Sequence, residues 1–267
     1  MATVREVYDY IDNLASFKTQ EGFDNAGLLV GRADREVTDV LVALDITTPV
    51  IEEAVHMGAQ LIVSHHPVIF YPMKSVVDTD VTGQKVLRLA ESGIAAICAH
   101  TNLDASCGGV NDLLAQAVGL IDTELLNQSG VDEQGRPYGI GRIGRLDSKD
   151  PIAVKDFAER VKCALHAACV RYMDAGKPVH RVAVGGGSCG SMLRDVAAAG
   201  CDTFLTADVK HDVFLDAQEL GINLLDAGHF ATEDVVIEPL VHALRVRFPE
   251  LKICKSAVQR EVFCALS

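Results

Sequence analysis

Tryptophan is absent, and Phe and Tyr together make up only 5% of the chain, so the sequence offers no obvious platform for stacking a purine. No apolar run approaches the ~20 residues that span a bilayer, which argues against a transmembrane helix. Basic residues are outnumbered, 24 against 37 acidic ones, for a net charge of −13. That balance repels phosphate backbones and disfavours broad binding to nucleic acid or anionic membranes. A small phosphorylated ligand in a local pocket remains compatible with it. None of the eight cysteines forms a C-x-x-C pair. Most lie among apolar residues and read as small buried hydrophobes in a reducing compartment, with Cys107 and Cys189, each beside glycine, as the alternatives for a reactive thiol. The N-terminus lacks the basic-then-apolar layout of a signal peptide, so a cytoplasmic location is expected.

What is present is a 267-residue chain, enough for one large domain or two lobes. Thr3 and Glu6 form a capping box ahead of an amphipathic helix carrying Val4, Val7, Tyr8, Ile11 and Leu14 on one face. Branched runs at Asp39–Leu44, Leu61–Val63 and Ile94–Cys98 predict buried strands. Thr48-Pro49 opens and Gly58 closes a helix between the first two, and a helix around Gln84–Ala90 ends at Gly93.

The later half follows the same plan. Strands are expected at Val182–Val184, Thr203–Leu205 and Asn223–Leu225, with a short helix over Ser191–Ala199. Sliding the sequence by 142 places Gly58 on Gly200 and Val63 on Leu205, and an offset of 128 places Gly93 on Gly221. The pattern fits either a duplicated strand–helix unit or the general likeness of any two βαβ units. Asn127–Lys177 reads as a connection. The expected fold is α/β, with residues 1–126 as a first lobe carrying His65, His66 and Asp104. Residues 127–267 form the second, and 226–267 return to complete a site.

Functional groups in such sheets gather where strands run out. His65 and His66 follow one strand, His100 and Asp104 another, His229 and Glu233 a third. Imidazole and carboxylate suit zinc, iron or manganese, and the lack of thiolates argues against a closed structural zinc site. Neighbouring side chains in extended backbone point apart, so His65 and His66 are expected to serve two separate ions. His229 and Glu233, four apart, share a face if helical. Five ligands cannot saturate two ions, which leaves positions for water or substrate. His56, His166, His180 and His242 lack this context and read as structural or surface residues. Gly185-Gly186-Gly187-Ser188-Cys189-Gly190 satisfies G-x-G-x-x-G. It reads either as a dinucleotide fingerprint with Asp208 as its acid or, better, as a tight turn whose amides approach a ligand phosphate or that simply lets the helix pack closely.

Ser64-His65-His66-Pro67, His100-Thr101-Asn102-Leu103-Asp104 and Gly228-His229-Phe230-Ala231-Thr232-Glu233 resemble the signature segments of the NIF3-like dinuclear metal proteins, also called GTP cyclohydrolase 1 type 2 homologues. Asp24-Asn25-Ala26-Gly27-Leu28-Leu29-Val30-Gly31 resembles their N-terminal motif, with Phe23 where tryptophan is usual. The resemblance implies two intertwined α/β lobes with mixed sheets flanked by helices, and a ring-shaped homohexamer. By motif match it implies two divalent ions per chain on His65, His66, Asp104, His229 and Glu233. His100 is a candidate proton shuttle, since imidazole as a class titrates near neutrality. The implied activity is metal-dependent hydrolysis of a nucleotide-like or phosphorylated small molecule. The alternatives are a metal-handling or regulatory protein without turnover and an interaction scaffold. Phe70–Thr82 is a candidate lid.

Overall fold

The computed structural model describes residues 2–147 and 151–266. The chain divides into two compact units. One holds the residues up to Leu103 together with Val236–Arg260, the other Asp104–Val235 and the residues from Glu261 onward. Asp104, expected with the first lobe, falls in the second unit because its helix, Thr101–Ala105, straddles the crossing. No helix among the described residues is long and apolar enough to cross a membrane.

The first unit carries a five-stranded sheet in the order Lys252–Lys255, Asp39–Ala43, Leu61–Ser64, Ala95–Cys98, Gly27–Val30. Its first four strands run parallel and the last antiparallel. Leu61–Ser64 and Ala95–Cys98 are buried at every residue, as strands covered on both faces must be. Val50, Ile51 and Ala54 of helix Thr48–Met57, and Leu89 of helix Val81–Ser92, pack against Leu41, Ile62 and Ala96. The first helix, Val4–Leu14, forms the expected capping box and buries Val4, Val7 and Ile11.

The second unit carries six strands in the order Arg171–Met173, Asn223–Asp226, Thr203–Thr206, Arg181–Val184, Arg142–Leu146, Leu120–Leu125. The middle trio is parallel and its neighbours antiparallel. Side chains alternate across it, as the two-residue period of a strand requires. Val182, Val184, Leu205 and Leu225 face helix Val154–Ala164 through Phe157 and Val161. Ala183, Phe204 and Leu224 pack with Leu193, Val196 and Ala217.

The pairing registers of the two sheets repeat. Val40 pairs with Leu61, and 142 residues on Val182 pairs with Thr203. Leu61 pairs with Ala95, and Thr203 with Asn223, which lies 128 residues beyond Ala95. Gly58 and Gly200, 142 apart, close the helices ahead of the matching strands with φ of 71° and 72°. The register fits the duplicated-unit alternative better than a general likeness.

Asn127–Lys177 is not a connection. It supplies the Arg142–Leu146 and Arg171–Met173 strands and helix Val154–Ala164. The two arginines in Arg142–Leu146 disguise it as a polar segment, yet Arg142 is buried. Its guanidinium pairs with Asp112 and donates to the carbonyls of Ser106 (3.0 Å), Gly139 (2.8 Å) and Gly141 (3.0 Å). Truncating one partner of a buried ion pair strands the other, at about 3–5 kcal/mol. Arg142→Ala is therefore expected to lower unfolding free energy by about that amount in urea titration; a loss below about 1 kcal/mol contradicts the anchoring role.

Candidate metal centre

In the first unit the parallel strands deliver three imidazoles to their C-terminal edge. The strand ends at Ser64 and the chain bends through His65 and His66, so the alternation of extended backbone lapses. The two rings therefore do not point apart. Their centroids lie 5.0 Å from each other, and His100 joins them at 5.3 Å from His65 and 5.5 Å from His66. One ring nitrogen from each of the three lies within 4.8 Å of the others. Strand alternation therefore does not set the direction of these two rings.

Each ring is held through Nδ1. His65 Nδ1 meets the carbonyl of Ala99 at 2.8 Å, His66 Nδ1 meets Asp45 at 2.8 Å, and His100 Nδ1 meets Asp24 at 2.7 Å. Those oxygens only accept, so Nδ1 carries the proton and Nε2 the lone pair. A carboxylate or carbonyl behind a ligating imidazole is the usual way its tautomer and angle are set. Burial works to raise the pKa of Asp24, but hydrogen bonds from His100 and Thr101 outweigh it and hold the carboxyl at about 2. Asp24 thus stands ionised behind His100 at any physiological pH.

In the second unit the five-residue helix His229–Glu233 begins after Gly228. His229 Nε2 approaches Glu233 Oε2 at 3.1 Å, so the i, i+4 pair shares a face as expected. The helix is separate from the last one, Ile237–Arg247. His229 Nδ1 donates to Asp208 at 2.7 Å. A carboxylate oxygen of buried Asp104 lies within 4.8 Å of one from buried Glu233. Asn111 braces this arrangement, its amide donating to the Asp104 carbonyl (2.9 Å) and its oxygen accepting from Gly186 N–H (2.9 Å).

The glycine-rich turn is the wall behind these groups. Gly186 N–H is taken by Asn111 and Gly187 N–H by Thr232 Oγ1 at 3.1 Å, so neither amide is presented to a phosphate. A Cβ on Gly187 would stand 2.1 Å from Glu233 Oε1 and 3.2 Å from His229 Nε2, and its φ is +63°. Asp208 is committed to His229, which leaves the dinucleotide reading without its acid.

The cysteines divide. Cys98 and Cys201 are buried as expected, but Cys163 and Cys264 are exposed, as is Cys107. Cys163 sits on the outer side of its helix, where apolar neighbours in sequence are not neighbours in space. Burial pushes the Cys189 thiol up to about 12, with the charges of Asp104 and Glu233 adding to it.

Imidazole and carboxylate donors, with a hydrogen-bond acceptor fixing each imidazole, form groups that can hold a divalent ion of the zinc, iron or manganese type. The sheets and donor clusters thus define an α/β protein whose strand ends carry side chains that could hold a metal ion. The chain belongs to the Duf34/NIF3 (NGG1p interacting factor 3) family, whose model matches residues 2–261. It is 33% identical over 231 residues to a GTP cyclohydrolase 1 type 2 homolog of Clostridium perfringens, covering 86% of each chain. A protein of the same name from Streptomyces coelicolor is 38% identical over 237 residues, covering 87% of this chain and 82% of that one. Among solved structures, Staphylococcus aureus protein SA1388 matches with a TM-score of 0.90 at 28% identity over 99% of both chains. A Bacillus cereus protein related to NIF3 shares the fold, with a TM-score of 0.93 at 23% identity, over 100% of this chain and 99% of that one.

Asp45 and Asp208 were missed as site residues. Their signal was position, each just past a parallel strand on the edge that carries the histidines. Asp208→Asn is expected to weaken metal affinity by about 10–100-fold, measured by chelator competition. Gly187→Ala is expected to displace Glu233 and cost roughly 1–3 kcal/mol in stability; unchanged metal content and stability would sink the wall assignment. Iodoacetamide at pH 8 is expected to label Cys107 well before Cys189, as read by peptide mass mapping.

Proposed function

We propose that this protein is a metal-dependent hydrolase acting on a nucleotide-like or phosphorylated small molecule, with two divalent ions held by His65, His66, Asp104, His229 and Glu233. The carrying observation is that each unit assembles its own share of the donors, with the imidazoles pre-set through Nδ1. The path of the chain supports joining the two shares. It passes between units at Leu103/Asp104 and again at Val235/Val236, within a few residues of His100 and Glu233. Four residues of chain cannot separate His100 from Asp104 by more than about 14 Å.

When bound, such ions supply Lewis acidity and lower the pKa of water. The protein's own part is to hold donors and move protons. His100, oriented by ionised Asp24, is placed to accept a proton on Nε2 and release it to a leaving group, with Asp24 stabilising the charged imidazolium. Motif resemblance further supports a cytoplasmic homohexamer.

Elemental analysis of gently purified protein is expected to find two divalent ions per chain. His65→Ala and Glu233→Ala should lower that content and abolish metal-dependent loss of a substrate from a panel of nucleotides and phosphoesters. His100→Ala should retain metal yet slow turnover by about 10²–10⁴-fold. Full metal loading with no turnover of any panel member, together with ready release of the ions to a chelator, favours the metal-handling alternative and overturns the hydrolase.

A further inference from the structure

Three of the chain's nine Phe and five Tyr residues gather beside the histidine cluster. Phe23 and Tyr71 are 67% and 78% exposed, a costly position for rings unless something covers them. They flank Phe70, with ring centroids 6.5 Å (Phe23) and 4.9 Å (Tyr71) away, and Phe70 in turn meets the His100 ring at 6.1 Å. The trio therefore forms a rim running outward from the histidine cluster, all within the first unit.

A groove of about 540 Å³ opens from the same rim. It starts at Pro67, the residue after His66, and takes in Phe70, Tyr71, Lys74 and Lys85. In a chain of net charge −13, two lysines lining one groove beside the histidine cluster are an exception to the surrounding field. Neither makes an ion pair among the described residues. The one acid lining the groove, Asp80, is turned to its own helix, accepting from Gly83 N–H at 2.7 Å. The walls are pinned rather than loose. Asn25 Nδ2 donates to the Ile69 carbonyl at 2.6 Å, and Val77 packs so closely on Gly83 that a Cβ there would lie 2.2 Å from the Val77 oxygen. Residues of the stretch Phe70–Thr82 line one side of this groove.

We propose that this rim and groove are the recognition subsite for an anionic ligand carrying a planar ring. The ring stacks on Phe23 and Tyr71, and a phosphate is held by Lys74 and Lys85. The assignment rests on the hydrolase reading above and narrows its substrate class. Stacking on an aromatic face tolerates any heterocycle and is worth roughly tenfold or more in affinity per ring, whereas exposed lysines act through charge that salt screens. The two parts are therefore separable.

The test is calorimetric titration of the full-length, metal-loaded protein with AMP, adenosine and ribose 5-phosphate, with metal content measured on every sample. Wild type is expected to bind AMP more tightly than either fragment, with AMP affinity falling as salt rises. The Phe23→Ala/Tyr71→Ala variant should lose about tenfold or more for AMP and adenosine and little for ribose 5-phosphate. The Lys74→Ala/Lys85→Ala variant should lose for AMP and ribose 5-phosphate, and its salt dependence should flatten. Failure of wild type to bind AMP, or equal losses for all three ligands in both variants, overturns the subsite. Absence of metal from the protein sinks the hydrolase reading instead, and the same titrations then still decide whether the groove binds.

Discussion

A histidine side chain turns about two bonds, and the candidate centre depends on four histidines being stopped from turning. His65, His66, His100 and His229 each have Nδ1 tied to an oxygen, from Ala99, Asp45, Asp24 and Asp208. Immobilising such rings costs side-chain entropy, which the hydrogen bonds meet before any ion arrives. Three of the four acceptors come from backbone fixed by the sheets. Asp45, Ala99 and Asp208 follow parallel strands directly, and parallel strands bring all their C-terminal ends to one edge. Orientation of the donors is thus a consequence of strand register.

The repeated register also shows how two similar units came to hold different donors. Asp45 and Gly187 occupy matching places at the 142-residue offset, as do His66 and Asp208. In the first unit the acid comes after the first strand of the trio and its histidine after the second. In the second unit the acid comes after the second strand and its histidine after the third. Moving the acid leaves the first position to glycine, and Glu233 fills the space that a side chain there would occupy. One unit consequently offers three imidazoles, the other one imidazole and two carboxylates.

Much of this was open to reading from residue order. Buried strands announced themselves as branched runs, because strands covered on both faces have no polar side to show. Helix ends were marked by Thr3, Gly58 and Gly93, and the His229–Glu233 pairing followed from a four-residue spacing. What escaped depended on where backbone regularity stops. The strand ends one residue before His65, which no composition reveals, and the alternation argument failed there. Arg142 looked like surface because its partners, Asp112 and three carbonyls, are assembled only by folding. The aromatic rim likewise joins Phe23 to Phe70 and Tyr71 across a long stretch of chain.

The electrostatics of the second unit bear on why a cation belongs there. Asp104 and Glu233 are both buried, with oxygens within 4.8 Å, and like charges so placed in low dielectric repel strongly. The thiol of Cys189 registers the same field, pushed up first by burial and then by these two carboxylates. A divalent cation bound here would offset the repulsion, so binding it and stabilising this corner of the fold would be one event. The first unit, whose imidazoles are neutral donors braced by carboxylates, carries no such repulsion among its rings. The two groups of donors therefore differ in their electrostatics: the acidic one carries a repulsion that a cation would relieve, and the imidazole one does not.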